Sequence, residues 1–251
     1  MRCRVSTARG FTLIELLVVV SIIALLIGIL LPALGGARDT ARSVKCLSNM
    51  RSLSVALLMY AEDSDGELPR SGHSAGFGSL PWAAAMYEPI TGNPFGGSNY
   101  SWDNEGWWTT TNTVYRCPHD RRESPVMQQG LPFGFAAFSY GMNVYYELRR
   151  EEIEPERWAG ERTAMYRKVH SVPRPSATVL LGELPDTIGL DHIMAHFWRT
   201  RGVPAGVDVA RDRHGERAAY ALLDGHAEER AFEDVYDENT GTDSWNPATA
   251  R

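Results

Sequence analysis

The N-terminal part of the chain contains a long apolar segment. From Leu16 to Ala37 no side chain is charged, a run of 22 residues. An α-helix rises about 1.5 Å per residue, so this run would extend roughly 33 Å, enough for the hydrocarbon core of a bilayer. A helix of a soluble protein seldom stays apolar on all sides for so long. The pattern therefore predicts a transmembrane helix over residues 11–34.

The pattern changes to that of an amphipathic helix in residues 35–62. Apolar residues recur there at three- and four-residue spacing, with charged residues among them. These apolar positions are Val44, Leu47, Met50, Leu53, Leu57, Met59 and Tyr60. We expect one helix of roughly fifty residues, from Phe11 to about Glu62, whose second half packs one face on a globular domain.

The globular domain is expected over residues 63–251, with short β-like runs. Residues 177–183 are typical of a buried strand. Residues 217–223 and 226–232 flank Asp224-Gly225, which predicts a hairpin with a type I′ turn. The predicted fold class is α+β, with a long N-terminal transmembrane helix packed on an antiparallel β-sheet domain with long irregular loops.

Two further stretches have distinctive composition. Residues 82–108 contain four of the seven tryptophans. We expect these rings to fill the core beneath loops, and an aromatic binding surface is the alternative. The tail from Glu233 is acidic and polar, and we expect it to be loose.

The charge of the chain argues against nucleic acid as a partner. The formal net charge is −6, and removal of residues 1–10 would take away Arg2, Arg4 and Arg9, leaving 22 basic and 31 acidic residues. Nucleic-acid binding requires a basic patch, which an acidic domain does not favour. The common sequence motifs of serine hydrolases, zinc peptidases and P-loop nucleotide binders are absent, so we expect a protein that is not an enzyme.

Glu15 stands out because it precedes the uncharged run by one residue. An ionised carboxylate in lipid costs a few kcal/mol or more, so it needs a partner. A cut after Gly10 would free an α-amino group on Phe11, four residues away and on the same helical face. In an assembly, the amine of one subunit could instead meet Glu15 of its neighbour.

The sequence Arg9-Gly-Phe-Thr-Leu-Ile-Glu-Leu-Leu-Val-Val19 resembles the prepilin cleavage and methylation segment of type IV pilins and of type II secretion pseudopilins. The resemblance implies cleavage after Gly10 by a prepilin peptidase, N-methylation of Phe11 and a role for Glu15 in subunit docking. It also implies an inner-membrane protein that polymerises with other pilin or pseudopilin subunits. The positive leader favours a cytoplasmic N-terminus, which would place the C-terminal domain in the periplasm or on an extracted fibre.

A second resemblance lies near the C-terminus. His214, nine further residues and then Asp224-Gly225 match a motif of a large group of bacterial pilin-like proteins of unknown function. The short segments Lys45–Arg51, Cys117-Pro118 and Ser139–Asn143 resemble that group too. The resemblance implies no molecular role.

Several residues are candidates for a disulfide or a metal site. Cys46 and Cys117 would form one disulfide most simply in an oxidising compartment; two free thiols, or a metal site with His119, are the alternatives. His214, Asp224 and His226 could converge on a transition metal, although Asp224-Gly225 can simply make a turn. We expect no cofactor. The alternative is calcium bound by Asp237, Asn239 and Asp243, since the major pseudopilin of type II secretion holds calcium in its C-terminal loop.

Two classes of function are consistent with these sequence features. The first is a structural subunit of a type II secretion pseudopilus or a type IV pilus-like fibre. The second is a membrane-tethered binding or metal-dependent domain that uses the prepilin signal for export. The sequence does not decide between them.

Overall fold

A computed structural model of the protein describes residues 12–72, 81–92, 114–122, 138–148 and 166–251. The chain divides into two compact units, Met1–Ala41 and Arg42–Arg251. Helix α1 (Leu13–Asp63) supplies the described part of the first unit and the beginning of the second. The helix is 51 residues long, and its ends agree with the prediction of one helix from about Phe11 to Glu62.

The first unit exposes its apolar side chains. The helix is long and apolar enough to cross a membrane, and the residues of its most apolar window are all exposed. Leu13 and Ile14, for example, are 86% and 73% exposed. Exposed apolar surface on this scale is unfavourable in water, which is consistent with a single-pass membrane anchor.

In the second unit one face of α1 is buried. The fully buried apolar residues recur at three- and four-residue spacing, as predicted, and the predicted Met50, Leu53 and Leu57 are among them, but the rest of the predicted set is not fully buried. Val44, Met59 and Tyr60 are exposed, and Asn49 is buried because its side-chain amide donates to the Arg116 carbonyl. The apolar pattern alone left the rotation of the helix open, and the sheet beneath it selects the face. The buried apolar residues are Cys46, Met50, Leu53, Leu57 and Ala61.

The domain is built on a five-stranded sheet in the order β3-β1-β2-β4-β5. Three of the four strand pairs are antiparallel. β3 runs parallel to β1, so the sheet is mixed and not purely antiparallel as predicted. The α+β fold class is confirmed. The strands are β1 (Tyr140–Asn143), β2 (Val179–Glu183), β3 (His192–Ile193), β4 (Ala218–Leu222) and β5 (Ala227–Arg230).

The predicted C-terminal hairpin is the pair β4–β5, but the prediction of its turn type was wrong. A type I′ turn needs positive φ at both central residues. Here only Gly225 has positive φ, at 91°, and its N–H donates to the carbonyl of Leu222. This geometry is typical of the three-residue hairpin loop in which glycine forms a bulge.

Residues after β5 cover the second face of the sheet. They include β6 (Tyr236–Asp237) and β7 (Thr242–Asp243), which pair with each other. Trp245 is fully buried against Tyr220, and Gly182 leaves room for it because a Cβ there would lie 2.6 Å from the indole ring. The expectation of a loose tail was therefore wrong. The sheet has apolar residues on both faces. One face is covered by α1, and the other face is covered by the tail together with helix α4 (Ala195–Thr200).

Two short helices follow α1, α2 (Trp82–Ala85) and α3 (Tyr87–Thr91). Trp82 is fully buried and its indole N–H donates to the Asp191 carbonyl, as expected for a core residue. The other tryptophans of residues 82–108 lie outside the described residues. For those tryptophans the expectation of a core position stays a sequence-based prediction.

The buried face of α1 allows a direct test of the packing. Leu53→Ala should lower the free energy of unfolding by about 2–5 kcal/mol, because Leu53 is fully buried and its loss leaves a cavity. The matched control is Met59→Ala on the same helix, where the side chain is 66% exposed and the change should be within about 0.5 kcal/mol. Urea unfolding of a version of the chain beginning at Arg38 measures both. Equal effects would contradict the observed face.

Candidate functional site

The N-terminal site is described from Thr12 onward. Gly10 and Phe11, the predicted cleavage and methylation residues, lie outside the described residues. The Glu15 carboxylate accepts hydrogen bonds from the Thr12 backbone N–H at 2.9 Å and from its hydroxyl at 2.8 Å. The Glu15 N–H donates back to Thr12 Oγ1 at 3.2 Å. This reciprocal arrangement is a capping box, and it fixes where α1 begins.

The capping box gives Glu15 a role that was not predicted from the sequence. The signal was present, because Thr-x-x-Glu before an apolar run is the usual pattern of a capping box. Both bonds to Thr12 use Oε2 of the carboxylate. An ionised carboxylate has roughly four acceptor positions, so Glu15 retains capacity for an amine.

A second candidate site lies in the domain, where four residues from distant parts of the chain converge. Cys46 comes from α1, Cys117 from a turn, Glu183 from the end of β2, and His214 from the turn before β4. One potential ligand atom from each lies within 4.8 Å of those from all the others. We call these four residues the Cys–His–Glu cluster.

The atoms of the cluster make direct contacts. The Cys46 thiol donates to Glu183 Oε1 at 3.2 Å, and His214 Nε2 lies 3.2 Å from the same oxygen. Cys117 Sγ is 3.6 Å from His214 Nε2. Both cysteines and Glu183 are buried. The cluster therefore presents two sulfurs, one imidazole and one carboxylate to a common point.

Local structure holds each member in place. The Cys117 N–H donates to Ser139 Oγ at 2.9 Å, and the turn after it closes through Asp120 N–H to the Cys117 carbonyl. The His214 N–H donates to the Arg217 carbonyl across a turn in which Gly215 has a φ of 81°. These two turns place the side chains of Cys117 and His214 near Glu183, at the end of β2.

Buried ion pairs surround the cluster. Arg213 Nη1 lies 3.6 Å from Glu183 Oε1, and its Nη2 lies 3.8 Å from Asp120. Arg122 pairs with Asp120 at 2.9 Å. All four side chains are at most 3% exposed. Paired charges are the form in which proteins tolerate such burial.

The contacts within the cluster determine the ionisation of its members. Burial opposes the charged form of Glu183, but the hydrogen bond from His214 and the charge of Arg213 lower its pKa below the usual value. Burial also opposes a charge on His214, but its contacts with Cys117 and Glu183 raise its pKa to about 10. Burial raises the pKa of the Cys46 thiol, whereas the contact with Cys46 lowers the pKa of Cys117.

The predicted metal-binding trio is not brought together as expected. Asp224 and His226 lie 2.5 Å apart through Oδ1 and Nδ1 at the exposed hairpin turn. The structure places His214 in the Cys–His–Glu cluster instead. The ring of His119, the partner considered for the cysteines, packs edge-on against the ring of His214 at 4.8 Å between centroids.

The candidate disulfide has its two cysteines close to each other. Cys46 and Cys117 are free thiols, and their sulfurs lie within 4.8 Å. A bridge would require the sulfurs to approach to about 2.05 Å, and in the chain-entropy model it would add about 4 kcal/mol by closing so long a loop. The bridge stays a prediction.

The candidate calcium ligands of the tail serve as turn residues. Asp237 Oδ1 accepts from the Asn239 N–H at 2.8 Å, which closes the β6–β7 turn. Asp243 accepts from the backbone N–H groups of Trp245 and Asn246. Their carboxylates thus have a structural role, and calcium binding there has no support from these contacts.

Glu183 is the member of the cluster that was not predicted from the sequence. Its signal was a lone acid at the end of an apolar strand, which is costly unless the acid is paired. The segments that carry the second resemblance contribute the other parts of the site. They supply Cys46, Cys117, Ser139 and His214. Segments far apart in sequence therefore share one location in the fold.

The comparisons with known proteins concern the N-terminal segment. Residues 6–31 match the prokaryotic N-terminal methylation motif. No curated protein and no solved structure matches the chain with significance. The chain thus carries a prepilin-like signal that includes much of the exposed apolar part of α1.

Proposed function

We propose that the protein is a structural subunit, a pilin or pseudopilin. In this proposal a prepilin peptidase cleaves after Gly10, Phe11 is methylated, and α1 assembles with the helices of other subunits into a type II secretion pseudopilus or a type IV pilus-like fibre. The observation that carries the proposal is the methylation motif at residues 6–31, which includes the beginning of the exposed apolar helix α1. No catalytic role is assigned.

The physical basis of assembly is the burial of apolar helix surface with one polar contact inside it. In lipid, helix association depends on packing and on interhelical polar contacts, since the lipid tails are as apolar as the side chains. A staggered neighbour can bring the amine of its Phe11 to Glu15. A wrong stagger leaves a charge buried without a partner, which is strongly unfavourable.

The charges of the leader favour one orientation in the inner membrane. Arg2, Arg4 and Arg9 precede the apolar segment, and positive charges next to a span favour the cytoplasmic side. The domain from Arg42 onward is then periplasmic until a machinery extracts the subunit into a fibre.

The second candidate is a membrane-tethered binding or metal-dependent domain that uses the prepilin signal only for export. The observation in its favour is the buried Cys–His–Glu cluster, whose residue types are those of metal sites. Such a domain would function as a monomer, and contacts between the α1 helices of neighbouring copies would be incidental.

Cross-linking in membranes distinguishes the two candidates. With the assembly machinery present, a short bifunctional cross-linker should give a ladder of oligomers from a structural subunit. The matched control is the same strain lacking the machinery, where the ladder should shorten to dimers or disappear. A protein that stays monomeric in both strains would contradict the subunit proposal and favour the tethered domain.

A further inference from the structure

We propose that Cys46, Cys117, His214 and Glu183 bind one zinc ion. Thiolate, imidazole and carboxylate are the three ligand types that zinc uses in proteins, and four ligands complete a structural site. The proposal concerns the domain alone, and it does not depend on how α1 assembles.

The spacing of the ligand atoms fits a tetrahedral ion. Zinc–ligand bonds of about 2.0–2.3 Å with tetrahedral angles separate neighbouring ligand atoms by roughly 3.3–3.8 Å. The observed separations are 3.2 Å from Glu183 Oε1 to Cys46 Sγ and to His214 Nε2, and 3.6 Å from that nitrogen to Cys117 Sγ. The other pairs of ligand atoms lie within 4.8 Å of each other, so adjustments of up to about one ångström would admit the ion.

The groups behind the ligands are placed to orient them. His214 Nδ1 lies 2.9 Å from Ser43 Oγ, so a zinc ion on Nε2 leaves the proton on Nδ1 for that hydroxyl, and the Glu229 carboxylate lies 3.2 Å from the same nitrogen. A carboxylate behind a metal-bound histidine is a common arrangement that fixes the tautomer. The Ala219 N–H donates to Glu183 Oε2 at 2.8 Å and orients the carboxylate, whose two oxygens lie 3.1 and 3.2 Å from His214 Nε2.

The charge balance also favours a divalent ion held by two thiolates. Binding replaces the protons of two thiols, and the Nε2 proton of His214 where that ring is charged, with one doubly charged cation, so the total charge of the buried site changes by at most one unit. Arg213 lies near both Glu183 and Asp120 and pairs with Asp186, and Arg122 pairs with Asp120. The two thiolates offset the charge of the zinc ion, and such pairing is the condition that makes buried ions tolerable.

A disulfide would use the two sulfurs alone and would not involve Glu183 or His214. It removes the thiol that donates to Glu183, and it is a weak acceptor for the Tyr140 hydroxyl that now donates to Cys46 Sγ at 3.3 Å. Zinc uses all four side chains. It would join α1 to three segments that are remote in sequence, so its binding energy would stabilise the fold.

Metal analysis of the full-length protein, extracted in detergent under reducing conditions, tests the proposal. We expect one zinc ion per chain by elemental mass spectrometry. Replacement by cobalt should give the visible bands of a tetrahedral cobalt ion and a thiolate-to-cobalt charge-transfer band, which report the ligands without any mutation. Cys46→Ser, Cys117→Ser and His214→Gln should each weaken zinc binding by more than the roughly 10–100-fold typical of outer-shell changes.

The matched control is His226→Gln, which replaces another histidine of the domain at the exposed hairpin turn and should keep the zinc. A Cys46–Cys117 disulfide, found by peptide mapping of protein alkylated at harvest, would overturn the proposal. So would reduced wild-type protein that neither contains zinc nor develops the thiolate-to-cobalt band on titration. Iron or copper in place of zinc would overturn the assignment of the metal.

Discussion

Gly10→Arg should leave nearly all of the protein in its uncleaved form. A peptidase must approach the backbone at the scissile bond, and glycine offers no side chain in its way. Arginine adds a long, charged side chain at the membrane surface, where the cut would occur. The uncleaved precursor keeps residues 1–10 and should run as a slightly larger band on immunoblots of membrane fractions.

Gly10→Ala is the matched control, because alanine adds only a methyl group at the same position. We expect it to be cleaved far better than Gly10→Arg in cells with an active prepilin peptidase. Efficient cleavage of the arginine variant would mean that the chain is cut elsewhere or by another enzyme. The resemblance of residues 9–19 to the prepilin segment would then not indicate that a prepilin peptidase cleaves after Gly10.

Glu15→Leu should insert into the membrane as well as the natural protein but assemble poorly. The substitution removes the only acidic residue of the apolar region, so insertion becomes more favourable by a few kcal/mol. It also removes the polar contact that sets the stagger between neighbouring helices. We expect the yield of surface fibres or cross-linked oligomers to fall at least about tenfold, which corresponds to about 1.4 kcal/mol per contact.

The capping box requires a second variant at this position. Glu15→Gln removes the charge but can still accept the hydrogen bonds from Thr12 that fix the start of α1. If the charge carries assembly, this variant should fail like Glu15→Leu. Normal fibres from Glu15→Gln would mean that the capping box, not the charge, is what assembly needs.

Ser21→Leu controls for the loss of polarity in the same helix. The Ser21 hydroxyl donates to the Leu17 carbonyl at 2.8 Å within its own helix, so its removal should leave assembly unchanged. An equal loss of fibres in Ser21→Leu would show that helix packing is sensitive to any polar-to-leucine substitution. That result would contradict a specific role of Glu15 in assembly.

The helix was the part of the fold that the sequence predicted best. A long apolar run followed by three- and four-residue periodicity is a strong local signal, and α1 ends within a residue or two of the predicted positions. The buried face was predicted less well, because Val44 and Met59 are apolar yet exposed. Which apolar side chains face the sheet depends on contacts between distant segments, such as Asn49 with Arg116.

The C-terminal tail shows where local composition misleads. Its acidic and polar residues suggest a loose segment, but Trp245 and Phe232 anchor it on the second face of the sheet. A few large apolar residues bury enough surface to order a polar segment. The alternation in β4, with Tyr220 and Leu222 on one face and Ala219 and Ala221 on the other, indicated that both faces needed cover.

The Cys–His–Glu cluster could be predicted only in part. The two cysteines and His214 were recognisable as candidates, but their grouping depends on the fold. Glu183 gave a weak signal as one acid in a buried strand, whereas the sequence suggested grouping His214 with Asp224 and His226, two residues that lie together at the hairpin turn. Residue type indicated the chemistry, and only tertiary structure indicated the partners.

The central claim is that this chain is a processed, prepilin-like subunit, and the mature N-terminus tests it most directly. Mass spectrometry of the protein extracted from membranes of cells with an active prepilin peptidase should find a chain that begins with N-methylphenylalanine at Phe11. A chain that still begins with Met1 under these conditions would contradict the account.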